Sequence, residues 1–351
     1  MFLKSQPKPV KFAVGLIAVG AAVLLSAYAL RTWGNHIAGA VPARELTFVT
    51  AEEARASGSP CDADIAFMTR EVTGRSSMNN HTPELKGFDT VLRAAPRLRW
   101  LQIHPAGAER PIYRELRARG VKVTTASGAT AITVAHSVLG AMIALNRRFP
   151  LLADAQRRHA WEPRLGERSP RDLKGQCAVI VSMGPIGRTI AGLLGALVMR
   201  SIGVRRRAEP LAPFESVVSY DRLPKVLPRA EWLILCCPAS PITRGLANEK
   251  LFAALPDGAH FINVSRGEIA VEKDVIAALA GGRLAGAYLD VFEKEPLDPS
   301  SPLWDMPNVI VSPHTASHSQ GQNEAIFDIF LDNLARFRAG QALRNDVDDL
   351  G

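Results

Sequence analysis

Cysteine and aromatic residues are scarce in this chain, and each scarcity removes options. The four cysteines, Cys61, Cys177, Cys236 and Cys237, have no metal-ligand spacing, and three sit inside apolar runs. They exclude a disulfide framework and a cysteine-built metal site, no metal being expected, and read as reduced core thiols suited to the cytosol. Aromatics make up 6% of the residues, and no basic run is interleaved with them. Nucleic-acid binding is therefore not expected, although the formal net charge is +8; scattered positive charge also suits an anionic cofactor and substrate. There is no internal repeat and no low-complexity tract. What is present is globular: 47% hydrophobic and 22% charged residues over 351 positions, enough for two domains with cores of their own.

The stretch from Cys177 to Arg207 organises the rest. An apolar run (Ala178–Val181) meets a glycine turn (Ser182–Gly187), then a helix-patterned segment, then a second apolar run (Ser201–Val204) that ends in Arg205, Arg206 and Arg207. Strand, glycine turn, helix and strand within about thirty residues describe a dinucleotide-binding βαβ unit. Glycine lets the backbone approach a pyrophosphate, and the helix start offers unpaired N–H groups and a positive dipole end. The G-x-G-x-x-G pattern is incomplete: Ser182 holds the first glycine place, while Gly184 and Gly187 are intact. A serine there is expected to avoid positive φ, and Pro185 removes one N–H from the turn. Glycines also punctuate ordinary strand-to-helix turns, so the fragment depends on the remainder of the chain.

Apolar strand-like runs alternate with helical segments elsewhere. Ile65–Met68, Leu98–Ile103 and Val121–Thr124 read as strands, and Leu85–Arg93 and Ile112–Arg119 as helices; Thr133–Arg147 reads as a long apolar helix joining two domains. Strands follow at Trp232–Cys237, His260–Val264, Ala285–Val291 and Val309–Ser312, with a terminal helix over Ser319–Ala339. This alternation is that of parallel sheets covered on both faces, in which ligands sit beyond the carboxyl ends of the strands. Arg266, Glu295 and His314 all follow such strand ends. Singly each is an ordinary turn or cap residue; together they supply cation, carboxylate and imidazole.

Two expectations compete at the N-terminus. Residues 12–30 carry no charge and are preceded by Lys4, Lys8 and Lys11, which suits a membrane span or a signal segment with Ala27–Ala29 as cleavage triplet. Alternatively, Lys11–Ile17 is a first strand, Gly20 a turn, and Ala21–Ala40 a buried Ala-rich helix. The second is preferred, because a domain beginning at Glu45 would lack its first βα unit. The three lysines would also keep their end of an anchor in the cytoplasm and place the body outside, away from a nicotinamide pool. A cytoplasmic protein is expected, with membrane contact only through residues 12–30.

The segments I-N-V-S-R-G-E-I-A-V-E-K-D (262–274), G-A-Y-L-D-V-F-E-K-E-P-L (286–297), P-L-W (302–304) and P-N-V-I-V-S-P-H-T-A (307–316) closely resemble the D-isomer-specific 2-hydroxyacid dehydrogenases. The resemblance covers roughly residues 95–340 and is weak before Ile65. It implies an α/β fold with two Rossmann-like domains of parallel sheet: a flavodoxin-like substrate domain over 1–126, completed by 319–351, and an NAD(P)-binding domain over 127–318. It further implies that Arg266 binds the substrate carboxylate and polarises its carbonyl, that His314 is the acid/base, and that Glu295 hydrogen-bonds and orients that histidine. By the same resemblance Asp290 faces the nicotinamide carboxamide, and Ala106 and Gly107 hold the substrate carboxylate through backbone N–H groups. Gly184, Pro185, Ile186 and Gly187 form the phosphate turn, and Cys237, Pro238 and Ser240 line the nicotinamide ribose wall. For Asp290, embedded in apolar residues, a structural role is a serious rival. His136 stands where the family often has Glu.

NAD-specific relatives place a carboxylate where this chain has Arg205–Arg207, so NADP(H) is the preferred cofactor, with NAD(H) admitted. The expected activity is hydride transfer between NAD(P)H and a small 2-oxo acid, glyoxylate or hydroxypyruvate, by an enzyme expected to be a homodimer. The rival is an NAD(P)H-binding regulatory protein of the corepressor type on the same fold.

Overall fold

Two wholly parallel sheets organise the chain, each within its own unit. The computed structural model describes residues 21–40, 46–74, 81–163 and 169–350, with Asp349 and Leu350 described by backbone alone. One unit holds the described residues up to Ser127 together with those from Asn323; the other is Gly128–Gln322.

The first unit contains strands β1 (Ala21–Leu25), β2 (Leu46–Thr50), β3 (Ile65–Met68), β4 (Trp100–Ile103) and β5 (Lys122–Thr124). Their order is β2-β1-β3-β4-β5, all parallel, which is the flavodoxin-like order. The Ala-rich segment corrects one expectation: Ala21–Leu25 is a strand, and the helix covers only Ala27–Ala40. The Lys11–Ile17 strand and the turn at Gly20 fall outside the described residues. The run A-A-V-L-L is buried at every position and paired on both edges, so it shows no alternation, and a short apolar run of that kind is ambiguous between buried strand and buried helix. Ser26 makes the break, its Oγ accepting from the Ala29 N–H at 3.0 Å as a helix cap does. The described part of the uncharged run, residues 21–30, thus forms a sheet strand and the first residues of a helix. Among the described residues no helix is long and apolar enough to cross a membrane.

Several of the aromatic residues gather where the terminal helix, Gln322–Arg338, covers this sheet. Phe330 stacks on Phe67 with centroids 4.4 Å apart and on Trp100 at 5.4 Å, and Phe327 stacks on Trp33 at 5.3 Å. Buried Asn333 fixes the helix beneath them, donating to Gln102 Oε1 at 3.1 Å and accepting from the Arg344 N–H at 2.7 Å.

The second unit contains β6 (Cys177–Val181), β7 (Arg200–Arg205), β8 (Ser216–Ser219), β9 (Trp232–Leu235), β10 (Ala259–Asn263), β11 (Leu284–Leu289) and β12 (Val309–Val311). The order β12-β11-β10-β9-β6-β7-β8 is again wholly parallel. Counted from β6 this is the dinucleotide-binding order, with its switch point between β6 and β9. β8 had no sequence forecast; S-V-V-S is short and only half-buried at the sheet edge. Asp290 lies just past β11 rather than inside it.

Candidate active site

The glycine turn sits at the carboxyl end of β6, beside the switch point. Ser182 corrects a second expectation, since it adopts φ +103°. Its backbone is dictated from two sides. The Ser182 N–H donates to Val204 O at 3.0 Å. A Cβ on Gly187 would lie 2.1 Å from the Ser182 carbonyl oxygen, so the helix packs against this turn only because residue 187 is glycine. Ser182 Oγ accepts from the Gly184 N–H at 3.3 Å, a local compensation glycine lacks.

Gly184 is the N-cap of the helix Pro185–Ala196, and Pro185 occupies the first helical position. The N–H that proline removes is one the first turn leaves without an intrahelical partner. The N–H groups of Ile186 and Gly187 stay available at the positive end of the helix dipole. Arg205 closes β7 next to Val204, the residue bonded to Ser182, and exposed Arg206 and Arg207 follow it. A glycine cradle, a free helix start and neighbouring guanidinium groups fit a phosphorylated dinucleotide.

Across the switch point, Cys236–Ser240 follows β9. The Cys237 thiol lies in the hydrophobic core, where burial pushes its pKa up to about 12. Any contribution of Cys237 to a ligand wall therefore comes through its backbone. Ser240 is held by Thr243, its N–H donating to Thr243 Oγ1 at 2.9 Å, and Thr243 Oγ1 donates to Pro238 O at 2.8 Å.

Arg266, Glu295 and His314 meet at the carboxyl ends of β10, β11 and β12. Asn263, at the end of β10, accepts from the Ser265 N–H at 3.1 Å and the Ser265 hydroxyl at 2.6 Å, and donates to Arg266 O at 3.2 Å, which fixes the S-R-G turn. Gly267 has no room for a side chain: a Cβ would lie 1.8 Å from Phe292 O. That contact draws the arginine turn against the segment carrying Glu295. The Phe292 N–H donates to Glu295 Oε1 at 3.2 Å, and Glu295 Oε2 faces His314 Nδ1 at 2.8 Å. Burial pushes the Glu295 carboxyl upward, but the His314 hydrogen bond and charge, the Phe292 amide and the Arg266 charge outweigh it and hold the carboxyl below its ordinary value. An ionised carboxylate only accepts, so Nδ1 carries a proton and Nε2 is the nitrogen left for a ligand. His314 adopts φ +55°, a left-handed position that needs outside support.

Asp290 is buried and directed at the histidine turn: Oδ1 accepts from Ser312 Oγ at 2.5 Å, the Thr315 N–H at 2.8 Å and the Ala316 N–H at 3.0 Å. Asn263, Ser265 and Ser312 were missed by sequence reasoning. They stand inside the quoted motifs, but only their hydrogen bonds reveal what they hold. His136 lies on an exposed part of the helix Ala131–Asn146. In the first unit, Ala106 and Gly107 follow the carboxyl end of β4.

A cavity of about 460 Å³ opens at the opposite, amino end of the second sheet, lined by Leu145, Arg148 and His260 among others. Burial, aided by the Arg148 charge, lowers the His260 pKa to about 4. It is remote from the strand ends that carry Arg266, Glu295 and His314. Among the described residues no cluster of three or more His, Cys, Asp or Glu could hold a metal ion.

The family model of the D-isomer specific 2-hydroxyacid dehydrogenase NAD binding domain matches residues 139–316. A glyoxylate reductase from Korarchaeum cryptofilum is 30% identical over 266 residues, covering 73% of this chain and 78% of that protein. A D-isomer specific 2-hydroxyacid dehydrogenase from Xanthobacter autotrophicus Py2, solved with NADPH and MES, superposes with TM-score 0.73 at 28% identity, covering 94% of this chain and 98% of that one. An NADPH-dependent glyoxylate/hydroxypyruvate reductase from Sinorhizobium meliloti, solved with NADP and sulfate, gives TM-score 0.71 at 28% identity over 95% and 99% of the two chains.

Proposed function

The chain belongs to the D-isomer-specific 2-hydroxyacid dehydrogenase family, and from that premise we propose that it reduces glyoxylate or hydroxypyruvate with NADPH, using Arg266, Glu295 and His314. As a member it is an NAD(P)-dependent oxidoreductase acting on a small 2-oxo or 2-hydroxy acid, which favours the enzyme over the corepressor-type rival. The observation that carries the residue roles is the 2.8 Å contact between His314 and Glu295 beside Arg266, at the carboxyl edge of the NAD-binding sheet.

A nicotinamide dinucleotide, which the Gly184–Gly187 turn and Arg205–Arg207 would hold, would supply the hydride taken up at C2 of the 2-oxo acid. Arg266 holds the substrate carboxylate, its planar fork matching both carboxylate oxygens, and draws charge from the carbonyl oxygen. His314, kept in one orientation by Glu295 through Nδ1, gives the Nε2 proton to that oxygen as the alcohol forms. In the reverse direction the same nitrogen takes the hydroxyl proton. Ala106 and Gly107 are proposed to hold the carboxylate through their N–H groups, on the resemblance alone. Asp290 is proposed, on the same resemblance, to face the nicotinamide carboxamide, while its Oδ1 also accepts from Ser312, Thr315 and Ala316 in the turn around His314.

Preference for NADPH is supported by Arg205–Arg207 at the end of β7 and by the NADP-bound relatives. Replacing Arg205 with Asp and Arg206 with Ala is expected to raise the Kd for NADPH by about 10-fold or more relative to NADH, since a carboxylate repels the 2′-phosphate that guanidinium attracts. Titration of nucleotide binding for both cofactors measures this, and an unchanged ratio would refute the reading of the arginines. A homodimer is proposed as well. Trp161 is 96% exposed, and Phe149 and Leu152 in the preceding helix Phe149–Arg157 are exposed as well, the kind of apolar surface that associating proteins cover. A cytoplasmic location is supported by the cofactor requirement.

A further inference from the structure

We infer that the groove between the helices Pro83–Arg93 and Pro111–Ala118 of the first unit is a binding site for a small hydroxy-carboxylate anion, held by Lys86, Asp89 and Arg110. A cavity of about 310 Å³ opens there, lined by His81, Lys86, Asp89, Arg93, Arg110 and Ile112 among others. Its size falls within the range of small-ligand sites. The inner wall holds an ion pair that is nearly covered, the Asp89 and Arg110 side chains being 7% and 12% exposed. The pair is poorly made. Arg110 Nη2 donates to Asp89 Oδ2 at 3.2 Å and approaches His81 Nδ1 at 3.5 Å. Asp89 Oδ1 and Arg110 Nε and Nη1 are buried with no hydrogen-bond partner among the described residues. The neighbouring pair shows the contrast. Arg93 Nε and Nη2 donate to the two Glu115 oxygens at 2.7 and 3.2 Å, although both side chains are about half exposed. Unmade bonds cost most where water is excluded, so a structural bridge gains most from saturating them there. Here the exposed pair is saturated and the buried pair is left open, as in a site completed by a third group.

The chemistry of the wall selects the ligand. Arg93 is committed to Glu115 and Arg110 to Asp89. The exposed Lys86 ammonium, which makes no ion pair among the described residues, is therefore the unmatched charge. The helix Pro111–Ala118 adds its positive end here, starting at Arg110 without a side-chain cap. One excess cation, and a guanidinium with unused N–H groups, suit a single carboxylate. The free Asp89 oxygen needs the opposite, a donor, and a hydroxyl on the same ligand provides it. Burial outweighs the Arg110, Arg93 and His81 charges and holds the Asp89 carboxyl above its ordinary value; a hydrogen bond donated to its ionised form relieves that penalty. Binding turns the Arg110 guanidinium so that its orphaned N–H groups meet the carboxylate, with Lys86 on the outer side. Arg266, Glu295 and His314 belong to the other unit. Reduction of a 2-oxo acid yields just such an anion, so the proposed activity would supply the ligand, but the site itself does not depend on that reading.

The test uses the full-length protein carrying Arg266→Ala, which removes the carboxylate contact proposed for the active site, with its arginines labelled with ¹⁵N. The Arg110 Nε–H signal, assigned with Arg110→Lys, is followed as glycolate, D-glycerate or acetate is added. Glycolate and D-glycerate are expected to shift that signal to saturation, and acetate, which lacks the hydroxyl, to bind about 10-fold more weakly. Lys86→Ala is expected to weaken glycolate about 5-fold, and it keeps the fold because Lys86 is exposed and unpaired. Asp89→Ala should abolish the preference, so that glycolate and acetate bind alike. If that variant does not fold, the acetate comparison and Lys86→Ala still decide. The inference is overturned by a glycolate titration that leaves the Arg110 signal unmoved, which would mean that water alone completes the pair. Acetate binding as tightly as glycolate, or an unchanged glycolate affinity in Lys86→Ala, would overturn it equally. No turnover is read, so failure of the proposed activity leaves this test intact.

Discussion

Ser182 is a residue whose backbone contradicts its side chain. A non-glycine residue at φ +103° costs on the order of 1–3 kcal/mol, partly offset by the Ser182 Oγ bond to Gly184. Ser182→Gly is expected to stabilise the protein by about 1 kcal/mol, read as a higher denaturant midpoint. An unchanged or lower midpoint would mean that the hydroxyl bond outweighs the strain. The sequence showed the missing glycine but not who imposes the turn, because the constraint comes from the Gly187 backbone five residues on. Glu295 carries the pH dependence at this scale. Its carboxyl is held below its ordinary value, so the stability its ionised form contributes is complete above about pH 4.3 and disappears as pH falls through the lower folded value. The gap in melting temperature between wild type and Glu295→Gln should therefore hold at neutral pH and close on acidification below about pH 4. A gap that widens with acid would contradict the direction of the shift.

At the scale of elements, the site depends on two close backbone approaches that only glycine permits. Gly267→Ala would set a Cβ 1.8 Å from a carbonyl oxygen, against backbone that cannot rotate away. The expected cost is about 3 kcal/mol or more, with loss of activity; a variant that melts and turns over like wild type would show that the two turns do not need their contact. The R-G pair was legible in the sequence as a motif, and the structure supplies its reason. β1 was not legible in its true place. Its five residues are buried on both faces, so neither the period of a strand nor that of a helix is written in them, and what ends it is a cap formed by Ser26. β8 escaped notice because two valines between serines carry too little pattern. Strands that end at charged or polar site residues were the easiest to read, since apolar runs there stop abruptly.

At the scale of the molecule, the order of elements carries the functional argument. The parallel order about β6 and β9 fixes where a dinucleotide lies, and the carboxyl ends of β10, β11 and β12 bring Arg266, Glu295 and His314 together from positions up to 48 residues apart (266 to 314). Their identity was readable in the sequence through motif order. Their mutual geometry was not, because it rests on buried Asn263 and Asp290, whose polarity looks out of place among apolar neighbours until the turns they hold are seen. The central claim is that this geometry performs hydride transfer to a small 2-oxo acid. Its most direct measurement is loss of reduced-nicotinamide absorbance by the purified protein with glyoxylate and hydroxypyruvate, run with NADPH and NADH beside His314→Ala. Turnover by wild type that is faster with NADPH, and abolished in His314→Ala while NADPH still binds, is the predicted result. Tight NADPH binding without turnover of either acid would contradict it.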